Sequence, residues 1–142
     1  MPTKIAYSVT AIANGGRDGH SKTEDGALDL KMAPPKEMGG SGDGHNPEQL
    51  FAAGYAACYL GAMKFAASQD KSLIKVPDDA TVRATVGIGP REDMGFGLTV
   101  DLEVSFPGAD KSDVEAVAAA GHKICPYSHA TNGNITVTTT AA

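Results

Sequence analysis

One stretch limits the possible folds of this chain more than any other: residues 46–69, which read NPEQLFAAGYAACYLGAMKFAASQ. Asn46 can cap a helix, Pro47 suits the first helical position, and Glu48 places a negative charge against the positive end of the helix dipole. Beyond that first turn the stretch has one charged side chain, Lys64. A helix that is apolar all round must be buried on most of its circumference. The stretch therefore predicts a long, buried central helix.

Cys58 lies in the middle of this helix. Positions three, four and seven apart share a helical face, and on that face the thiol has small and aromatic neighbours. They are Phe51, Gly54, Tyr55, Gly61, Ala62 and Phe65. A free cysteine usually packs as a small buried hydrophobe. The helix alone therefore leaves two alternatives open, inert packing or a reaction centre.

Size and charge exclude several classes of protein. A chain of 142 residues with 42% hydrophobic residues suits a single domain, residues 1–142, with a core of its own. The net charge of -5, without any run of Lys and Arg, argues against nucleic-acid binding. The amino terminus alternates like a strand and has no apolar run of signal-peptide length, so we expect a cytoplasmic protein. Residues 50–67 approach membrane-spanning length, but their Ala and Gly content and Lys64 favour burial in protein over a membrane.

The rest of the chain predicts an α+β fold. Alternating apolar residues predict five strands, at 4–13, 19–32, 81–89, 97–106 and 135–139, with a possible bulge near 24–26.

Turn residues join the first four of these strands into two antiparallel hairpins, the first through Asn14, Gly15 and Gly16. Helical spacing predicts a second helix over 110–125, and residues 33–45, rich in Pro and Gly, predict a loop. We expect the hairpins and the C-terminal strand to form antiparallel sheet around the two helices. One small sheet covers an all-apolar helix poorly, so we also expect a tight twofold homodimer.

The two cysteines, Cys58 and Cys125, are 67 positions apart and form no CxxC pair. In a reducing compartment a distant pair is seldom a static crosslink. If the two meet in space, we expect redox cycling, in which a sulfenic acid on one thiol condenses with the other. Such a disulfide requires the end of the second helix to dock beside the middle of the central helix.

A reactive cysteine needs a nearby cation to favour its thiolate. Arg17, in the turn GGRDG, is a candidate, and Glu48 could hold its guanidinium by two hydrogen bonds, although both residue types are usually solvent-exposed. Ten positions separate Glu48 from Cys58, about 15 Å along a helix and on another face. We therefore favour a Glu48 supplied to a given Cys58 by the partner subunit.

Two other sites are weaker. His122, Cys125 and His129 have spacing like that of zinc ligands, but Pro126 breaks the helix between them and no fourth ligand lies near in sequence. The glycines of 33–45 precede a helix, but no GK[ST] follows them and no clear strand leads into them, as a phosphate-binding P-loop would require. We expect neither a metal nor a nucleotide.

Four separated motifs occur in the chain: GGRDG near the start, NPEQLFAAGYAAC in the central helix, GFGLTVDLEVSFPG in the second hairpin and HKICPYSHATNGNI near the end. In this order and spacing they resemble the organic hydroperoxide resistance (Ohr) proteins of the OsmC/Ohr superfamily. The resemblance covers nearly the whole chain and implies an OsmC/Ohr-like α+β fold in an intertwined homodimer. His129 and His45 depart from the residues most common at their positions, which leaves substrate preference open.

The resemblance also implies an activity. Members are thiol peroxidases that reduce alkyl and fatty-acid hydroperoxides to alcohols with electrons from lipoylated proteins. By motif, Cys58 corresponds to the peroxidatic cysteine and Cys125 to the resolving one, which together form a disulfide. Arg17 and Glu48 correspond to the pair that activates Cys58. No bound cofactor or metal is implied, and dihydrolipoamide or a lipoylated carrier protein is the expected electron donor.

Three alternatives stay open at this point. A peroxidase of the OsmC branch would share the chemistry but differ in peroxide range and reductant. A thiol redox sensor would form the Cys58 to Cys125 disulfide without turnover. In the third alternative both thiols are core packing, and neither reacts.

Overall fold

The predicted α+β class is confirmed by a computed structural model, which describes residues 1–142 and contains six strands and three helices. The elements are β1 (Ala11–Asn14), β2 (Gly19–Thr23), β3 (Asp29–Met32), α1 (Pro47–Gln69), β4 (Thr81–Pro90), β5 (Phe96–Ser105), α2 (Lys111–Ile124), α3 (Pro126–Thr131) and β6 (Val137–Ala141). The chain divides into two compact units, residues 1–50 and 51–142. That the two units form a single domain stays a prediction.

The start of α1 follows from its sequence. The Asn46 side chain accepts a hydrogen bond from the Gln49 amide at 2.9 Å, and the Gln49 side chain accepts one from the Asn46 amide at 3.0 Å. This reciprocal pair satisfies two amides that the first turn of a helix leaves without partners. Pro47 occupies the first helical position, where its missing N–H costs nothing. The predicted central helix is confirmed, with its first residue at Pro47.

The first strand is shorter than predicted. Of residues 4–13, only the last three belong to a strand, since β1 begins at Ala11. The pairing ends where the Thr10 carbonyl accepts a hydrogen bond from the Glu24 amide. No strand of this unit pairs with the residues before Thr10. Three alternate apolar side chains there are exposed: Ile5, Tyr7 and Val9.

A second hairpin replaces the bulge predicted near residues 24–26. Strands β2 and β3 pair antiparallel, so the predicted strand over 19–32 is two strands joined by a turn. The Asp25 carboxylate accepts hydrogen bonds from the Thr23 hydroxyl and the Ala27 amide, and Gly26 adopts a φ of 75° that favours glycine. Strands β1, β2 and β3 form one sheet in that order. The predicted loop over 33–45 contains a single turn of 3-10 helix.

The second unit contains the sheet β4-β5-β6. Strands β4 and β5 pair antiparallel from Thr81 opposite Ser105 to Pro90 opposite Phe96, which confirms the predicted hairpin. The last strand corrects two predictions: it is shifted by two residues from 135–139, and it pairs parallel to β5. Helices α2 and α3 lie between β5 and β6 in the chain, and such a crossover is what a parallel pair needs. The strands thus form two separate sheets, of which only the first is wholly antiparallel.

Helix α1 buries one face and not most of its circumference. The buried side chains of α1 are Tyr55, Tyr59, Ala62, Met63 and Ala66. They lie on the side of the helix that faces the apolar core, which also contains Val100 and Leu102 of β5 and Val117 of α2. The opposite face is exposed, and Phe65 retains 54% of its accessible surface. The single chain therefore buries only one side of α1, and the predicted burial of most of its circumference depends on the expected homodimer.

By length and composition α1 could also cross a membrane, a property that core helices of soluble proteins share. In this structure the face of α1 that carries Tyr55 and Tyr59 packs in the protein core. The apolar character of the helix therefore needs no bilayer to explain it.

Helix α2 is confirmed over Lys111–Ile124. Cys125 then adopts an extended conformation (φ -65°, ψ 121°), and Pro126 opens the short helix α3, which was not predicted. Proline cannot continue a helix from the preceding residue, but it fits the first position of a new one. Cys125 thus occupies a sharp junction between two helices.

Candidate active site

The two thiols lie side by side in the second unit. Cys58 projects from the middle of α1, Cys125 lies at the junction of α2 and α3, and their sulfur atoms are 3.7 Å apart. Both are free cysteines, Cys125 buried and Cys58 half-buried. Disulfide sulfurs lie about 2.05 Å apart, so a small side-chain shift is enough to join them. The docking that a Cys58 to Cys125 disulfide requires is therefore present.

The surroundings of Cys58 act on its pKa in opposite directions. Burial raises the pKa of the Cys58 thiol above its ordinary value, because the thiolate is poorly solvated there. The backbone amide of Tyr127 donates a hydrogen bond to the Cys58 sulfur and lowers the pKa, while the neighbouring Cys125 raises it. Because burial is the largest influence, the thiol form is favoured within this unit.

An apolar cavity of about 510 Å³ lies in the second unit. Arg91 is the one charged residue of its lining, which is otherwise mainly aromatic and aliphatic and includes Phe51, Phe96, Leu98, Tyr127 and Ile135. Tyr127 links this cavity to the thiol, because its side chain lines the cavity while its amide binds the Cys58 sulfur. A cavity of this character suits the organic part of a small molecule.

Gly54 permits the close approach of Tyr127 to α1. A Cβ atom at position 54 would lie 2.7 Å from the Tyr127 hydroxyl oxygen, too close for van der Waals contact. The Tyr127 ring also packs against Phe51 with ring centres 5.9 Å apart. The glycine on the Cys58 face of α1 therefore makes room for a neighbouring side chain.

Arg17 and Glu48 form an ion pair in the first unit. Two hydrogen bonds of 2.8 and 2.7 Å join the guanidinium to the carboxylate in a bidentate arrangement. Arg17 follows the turn at Gly15 and Gly16, both with positive φ, and Glu48 lies in the first turn of α1. The hydrogen bond from Arg17 holds the pKa of Glu48 below its ordinary value. The pair thus presents a fixed and permanently charged guanidinium.

The histidines considered as zinc ligands have other contacts. The ring nitrogens of His122 bind the hydroxyls of Ser128 and Thr139, and burial lowers the pKa of this histidine. No group of three or more His, Cys, Asp or Glu side chains in the structure is placed to hold a metal ion. The spacing of His122, Cys125 and His129 therefore reflects the packing of α2 and α3.

Sequence reasoning missed two residues of α3, Tyr127 as a neighbour of Cys58 and Ser128 as a hydrogen-bond partner of Tyr55 and His122. Tyr55 itself is expected on the Cys58 face of α1, and the CPYS segment enters the sequence analysis only as part of a family motif. The available signals were an aromatic residue and a hydroxyl residue, two and three positions after Cys125. The contact made by the Tyr127 amide leaves no mark in the sequence, since every residue except proline has such a group.

The comparison with known families agrees with this geometry. The family model of OsmC-like proteins matches residues 40–140, a range that includes both cysteines and Glu48. The chain belongs to the OsmC/Ohr family. The motifs described above as a resemblance therefore reflect membership.

Individual OsmC/Ohr relatives resemble the chain along its whole length. The organic hydroperoxide resistance protein of Xanthomonas axonopodis pv. citri is 50% identical over 142 residues, which cover 99% of this chain and 98% of the relative. Among solved structures, the organic hydroperoxide resistance protein of Elizabethkingia anophelis superposes with a TM-score of 0.90 at 41% identity, covering 99% of both chains. OhrB of Bacillus subtilis gives a TM-score of 0.86 at 36% identity, covering 97% of this chain and all of that one (100%). The fold is thus that of the organic hydroperoxide resistance proteins within the OsmC/Ohr family.

Proposed function

We propose that this OsmC/Ohr protein is a thiol-dependent peroxidase that reduces organic hydroperoxides, including alkyl and fatty-acid hydroperoxides, to alcohols. The observation that carries the proposal is the 3.7 Å separation of the Cys58 and Cys125 sulfurs. The relatives named for organic hydroperoxide resistance support a role in organic peroxide detoxification. Tyr127 lines the apolar cavity and also contacts Cys58 through its backbone amide, so a molecule in the cavity would lie near the thiol. An apolar cavity in this position favours an organic peroxide over hydrogen peroxide.

The proposed reaction has two chemical steps. The Cys58 thiolate attacks one oxygen of the hydroperoxide, the O–O bond breaks, and the other oxygen leaves as an alkoxide that takes up a proton to give the alcohol. Cys58 then carries a sulfenic acid. The Cys125 sulfur attacks the Cys58 sulfur, a disulfide forms, and the hydroxyl leaves as water. The buried position of Cys125, directly beside Cys58, supports its role as the resolving thiol.

Arg17 and Glu48 complete the proposed machinery. Because burial raises the pKa of Cys58, efficient attack at neutral pH requires positive charge that favours the thiolate. The bidentate pairing with Glu48 holds the Arg17 guanidinium in one orientation, which suits a charge that must stabilise a thiolate and a developing alkoxide. In the proposed homodimer, Glu48 acts on the Cys58 of the partner subunit.

A dithiol closes the proposed cycle. Dihydrolipoamide, free or on a lipoylated carrier protein, opens the Cys58 to Cys125 disulfide by thiol–disulfide exchange and leaves as its own disulfide. The electrons thus pass from the dithiol through the two cysteines to the peroxide. No step in this cycle uses a bound cofactor or metal. A reducing cytoplasm, where such dithiols are kept reduced, is the compartment we propose.

Peroxide consumption under turnover conditions tests the function. Cumene hydroperoxide is supplied in molar excess with dihydrolipoamide to the wild type, Cys58→Ser and Cys125→Ser, and the same assay is run with hydrogen peroxide. We expect many turnovers in the wild type, a preference for cumene hydroperoxide, and complete loss of activity in Cys58→Ser. Met94→Ala, on the exposed turn between β4 and β5, serves as the control that keeps full activity.

The assay also separates the alternative functions. A single stoichiometric oxidation without turnover would replace the peroxidase by a redox sensor that uses the same disulfide. If Cys58→Ser consumes peroxide as fast as the wild type, Cys58 is not the reactive group, and both thiols are inert core residues.

A further inference from the structure

A connected set of polar side chains surrounds α3, the helix that directly follows Cys125, and takes no part in the proposed chemistry. We call it the Ser128 network, because the Ser128 hydroxyl joins its members. The Ser128 oxygen lies 2.8 Å from the His122 Nδ1 atom and 3.0 Å from the Tyr55 hydroxyl. The network continues from the His122 Nε2 atom to the Thr139 hydroxyl at 2.7 Å, and from Tyr55 to the Thr131 hydroxyl at 3.3 Å.

The network ties α3 to three other elements. Ser128 and Thr131 belong to α3, while Tyr55, His122 and Thr139 belong to α1, α2 and β6. Tyr55 is fully buried, and Ser128 and Thr131 are each 6% exposed. Buried hydroxyls that lose a partner carry the full cost of desolvation, so the contacts hold one arrangement of these elements.

Helix α3 needs such contacts because it is short. It has six residues, and a helix of this length is not stable on its own in water. Its backbone bonds include one from the His129 amide to the Cys125 carbonyl at 3.0 Å and one from the Asn132 amide to the Ser128 carbonyl at 2.9 Å. Side-chain contacts must therefore determine where α3 lies.

The position of α3 determines two contacts of the reactive sulfur. Cys125 directly precedes this helix, and its sulfur lies 3.7 Å from that of Cys58. Tyr127, the second residue of α3, donates its amide to Cys58. A shift of α3 would change both contacts, whereas the Cys58 side chain itself is held by α1.

We propose that His122 and Ser128 are positioning residues that hold Cys125 against Cys58 and thereby protect the Cys58 sulfenic acid from further oxidation. This inference rests on the proposed peroxidase function. It assigns to the Ser128 network a role in the second chemical step, the formation of the disulfide. The two thiols carry out that step, and the network keeps them close enough for it. Neither residue is required to touch the peroxide.

The sulfenic acid has two competing fates. In the first, its sulfur is attacked by the Cys125 thiol, a disulfide forms, and water leaves with the sulfenic oxygen. In the second, a further hydroperoxide transfers an oxygen to the Cys58 sulfur, which is oxidised to a sulfinic acid while the peroxide is reduced to the alcohol. The first rate depends on the distance between the two sulfurs, and the second on the peroxide concentration. Looser positioning of Cys125 therefore favours over-oxidation.

The test measures how Cys58 divides between these two products. The reduced wild type, Ser128→Ala and Thr140→Val are exposed to increasing cumene hydroperoxide without reductant, and intact-protein mass spectrometry counts disulfide and sulfinic acid. Thr140→Val is the matched control, since its side chain lies on the exposed side of β6. We expect Ser128→Ala to become half over-oxidised at about ten- to a hundredfold less peroxide, because a shift of about 1 Å can change a rate by such factors.

Two variants of His122 keep the test independent of folding defects. His122→Asn retains a polar atom near the Nδ1 position and can still bind Ser128, whereas His122→Gln retains one near the Nε2 position and can bind only Thr139. We expect His122→Asn to divide its products as the wild type does and His122→Gln to over-oxidise as Ser128→Ala does. Urea unfolding of each variant identifies any that fails to fold, and the comparison is then made between the others.

The outcomes separate this inference from the proposed function. If the wild type forms neither product with cumene hydroperoxide, the peroxidase proposal fails. If the wild type forms the disulfide and every folded variant divides its products as the wild type does, the peroxidase stands and the positioning role is overturned.

Discussion

At the scale of single residues, the pKa of Cys58 decides how much reactive thiolate the protein holds. Burial raises this pKa, and the proposed function assigns to Arg17 the charge that lowers it. We expect Arg17→Met to move the pH midpoint of Cys58 alkylation by iodoacetamide about one to two units upward, as the loss of an adjacent cation does. The measurement is made in a Cys125→Ser background, so that one thiol reacts.

The direction follows from the reactive species. Only the thiolate is alkylated, so a higher pKa gives slower alkylation at neutral pH and a full rate only in alkali. Arg83→Met is the matched control, because Arg83 lies exposed on β4 and pairs with Glu103. A midpoint that is the same in Arg17→Met and in the parent would remove Arg17 from the proposed machinery.

The Arg17 to Glu48 pair also predicts a pH-dependent stability. The pKa of Glu48 is lowered in the folded protein, so the pair stabilises the fold above the ordinary carboxyl pKa, and that stability is lost as the pH falls through the lowered one. We expect Glu48→Gln to lose at most about 1 kcal/mol of unfolding free energy at pH 7, because the Arg17 side chain is 39% exposed. The loss should vanish toward pH 3 in urea titrations.

Glu115→Gln is the control for this measurement, since Glu115 forms a looser and more exposed pair with Lys111 at 3.9 Å. It should show almost no loss at either pH. A deficit of Glu48→Gln that is equally large at both pH values would mean that the substitution acts through packing and not through charge.

Residue chemistry was predictable where the side chain itself carries the signal. Cys58 and Cys125, and the pairing of Arg17 with Glu48, could be proposed from residue type and motif, and the structure places the members of each pair in contact. The Ser128 network could not, because serine, threonine and tyrosine are common and their hydrogen-bond partners are set by tertiary packing.

At the scale of elements, the contact between α1 and α2 depends on Gly121. A Cβ atom there would lie 2.5 Å from the Met63 Cγ atom and 3.2 Å from the Tyr59 ring. We expect Gly121→Ala to lower the unfolding free energy by about 1 to 3 kcal/mol, because overpacking outweighs the gain of about 1 kcal/mol in helix propensity. Urea unfolding measures the change.

The exposed Ala119 on the same helix provides the control for Gly121. Ala119→Ser should change the unfolding free energy by no more than about 0.5 kcal/mol, as surface substitutions usually do. Stabilisation of Gly121→Ala would mean that the two helices separate at low cost, and that Gly121 does not fix their distance.

Helices and strands were predictable where residues close in sequence determine them. Helix α1 follows from its cap at Asn46, and the hairpin of β4 and β5 from alternation and a polar turn. Pro126 was interpreted only as the end of α2, although proline also suits the start of a helix, and α3 was therefore missed. The parallel pairing of β6 depends on where the crossover returns the chain, which no local pattern specifies.

At the scale of the whole molecule, the exposed apolar surface of the single chain predicts a homodimer. The outer face of α1 includes Phe65, and the amino-terminal residues expose Ile5, Tyr7 and Val9. Apolar surface of this kind marks an interaction site. We expect sedimentation equilibrium at micromolar concentration to give twice the chain mass of 14.5 kDa.

Two variants test whether the outer face of α1 forms the dimer interface. Phe65→Asp should weaken the dimer, whereas Met94→Asp, on an exposed turn, should leave it unchanged. A wild-type mass of 14.5 kDa would refute the homodimer.

The expected homodimer raises the question of which Glu48 serves which Cys58. Glu48 lies in the first turn of α1, and ten positions of helix separate it from Cys58, about 15 Å of rise along the axis. If Glu48 acts across the subunits, Cys58→Ser and Glu48→Ala chains complement each other. A mixed dimer then keeps one complete site, made of the Cys58 of one chain and the Glu48 of the other.

Random pairing makes half of the dimers mixed, so we expect about a quarter of the wild-type peroxidase activity after the two variants are unfolded together in urea and refolded. Each variant refolded alone should stay at its own low level. Because an intertwined dimer exchanges subunits only by unfolding, simple mixing without urea should restore almost nothing at first. Activity that remains low after joint refolding, while refolded wild type recovers fully, would place Glu48 beside the Cys58 of its own chain.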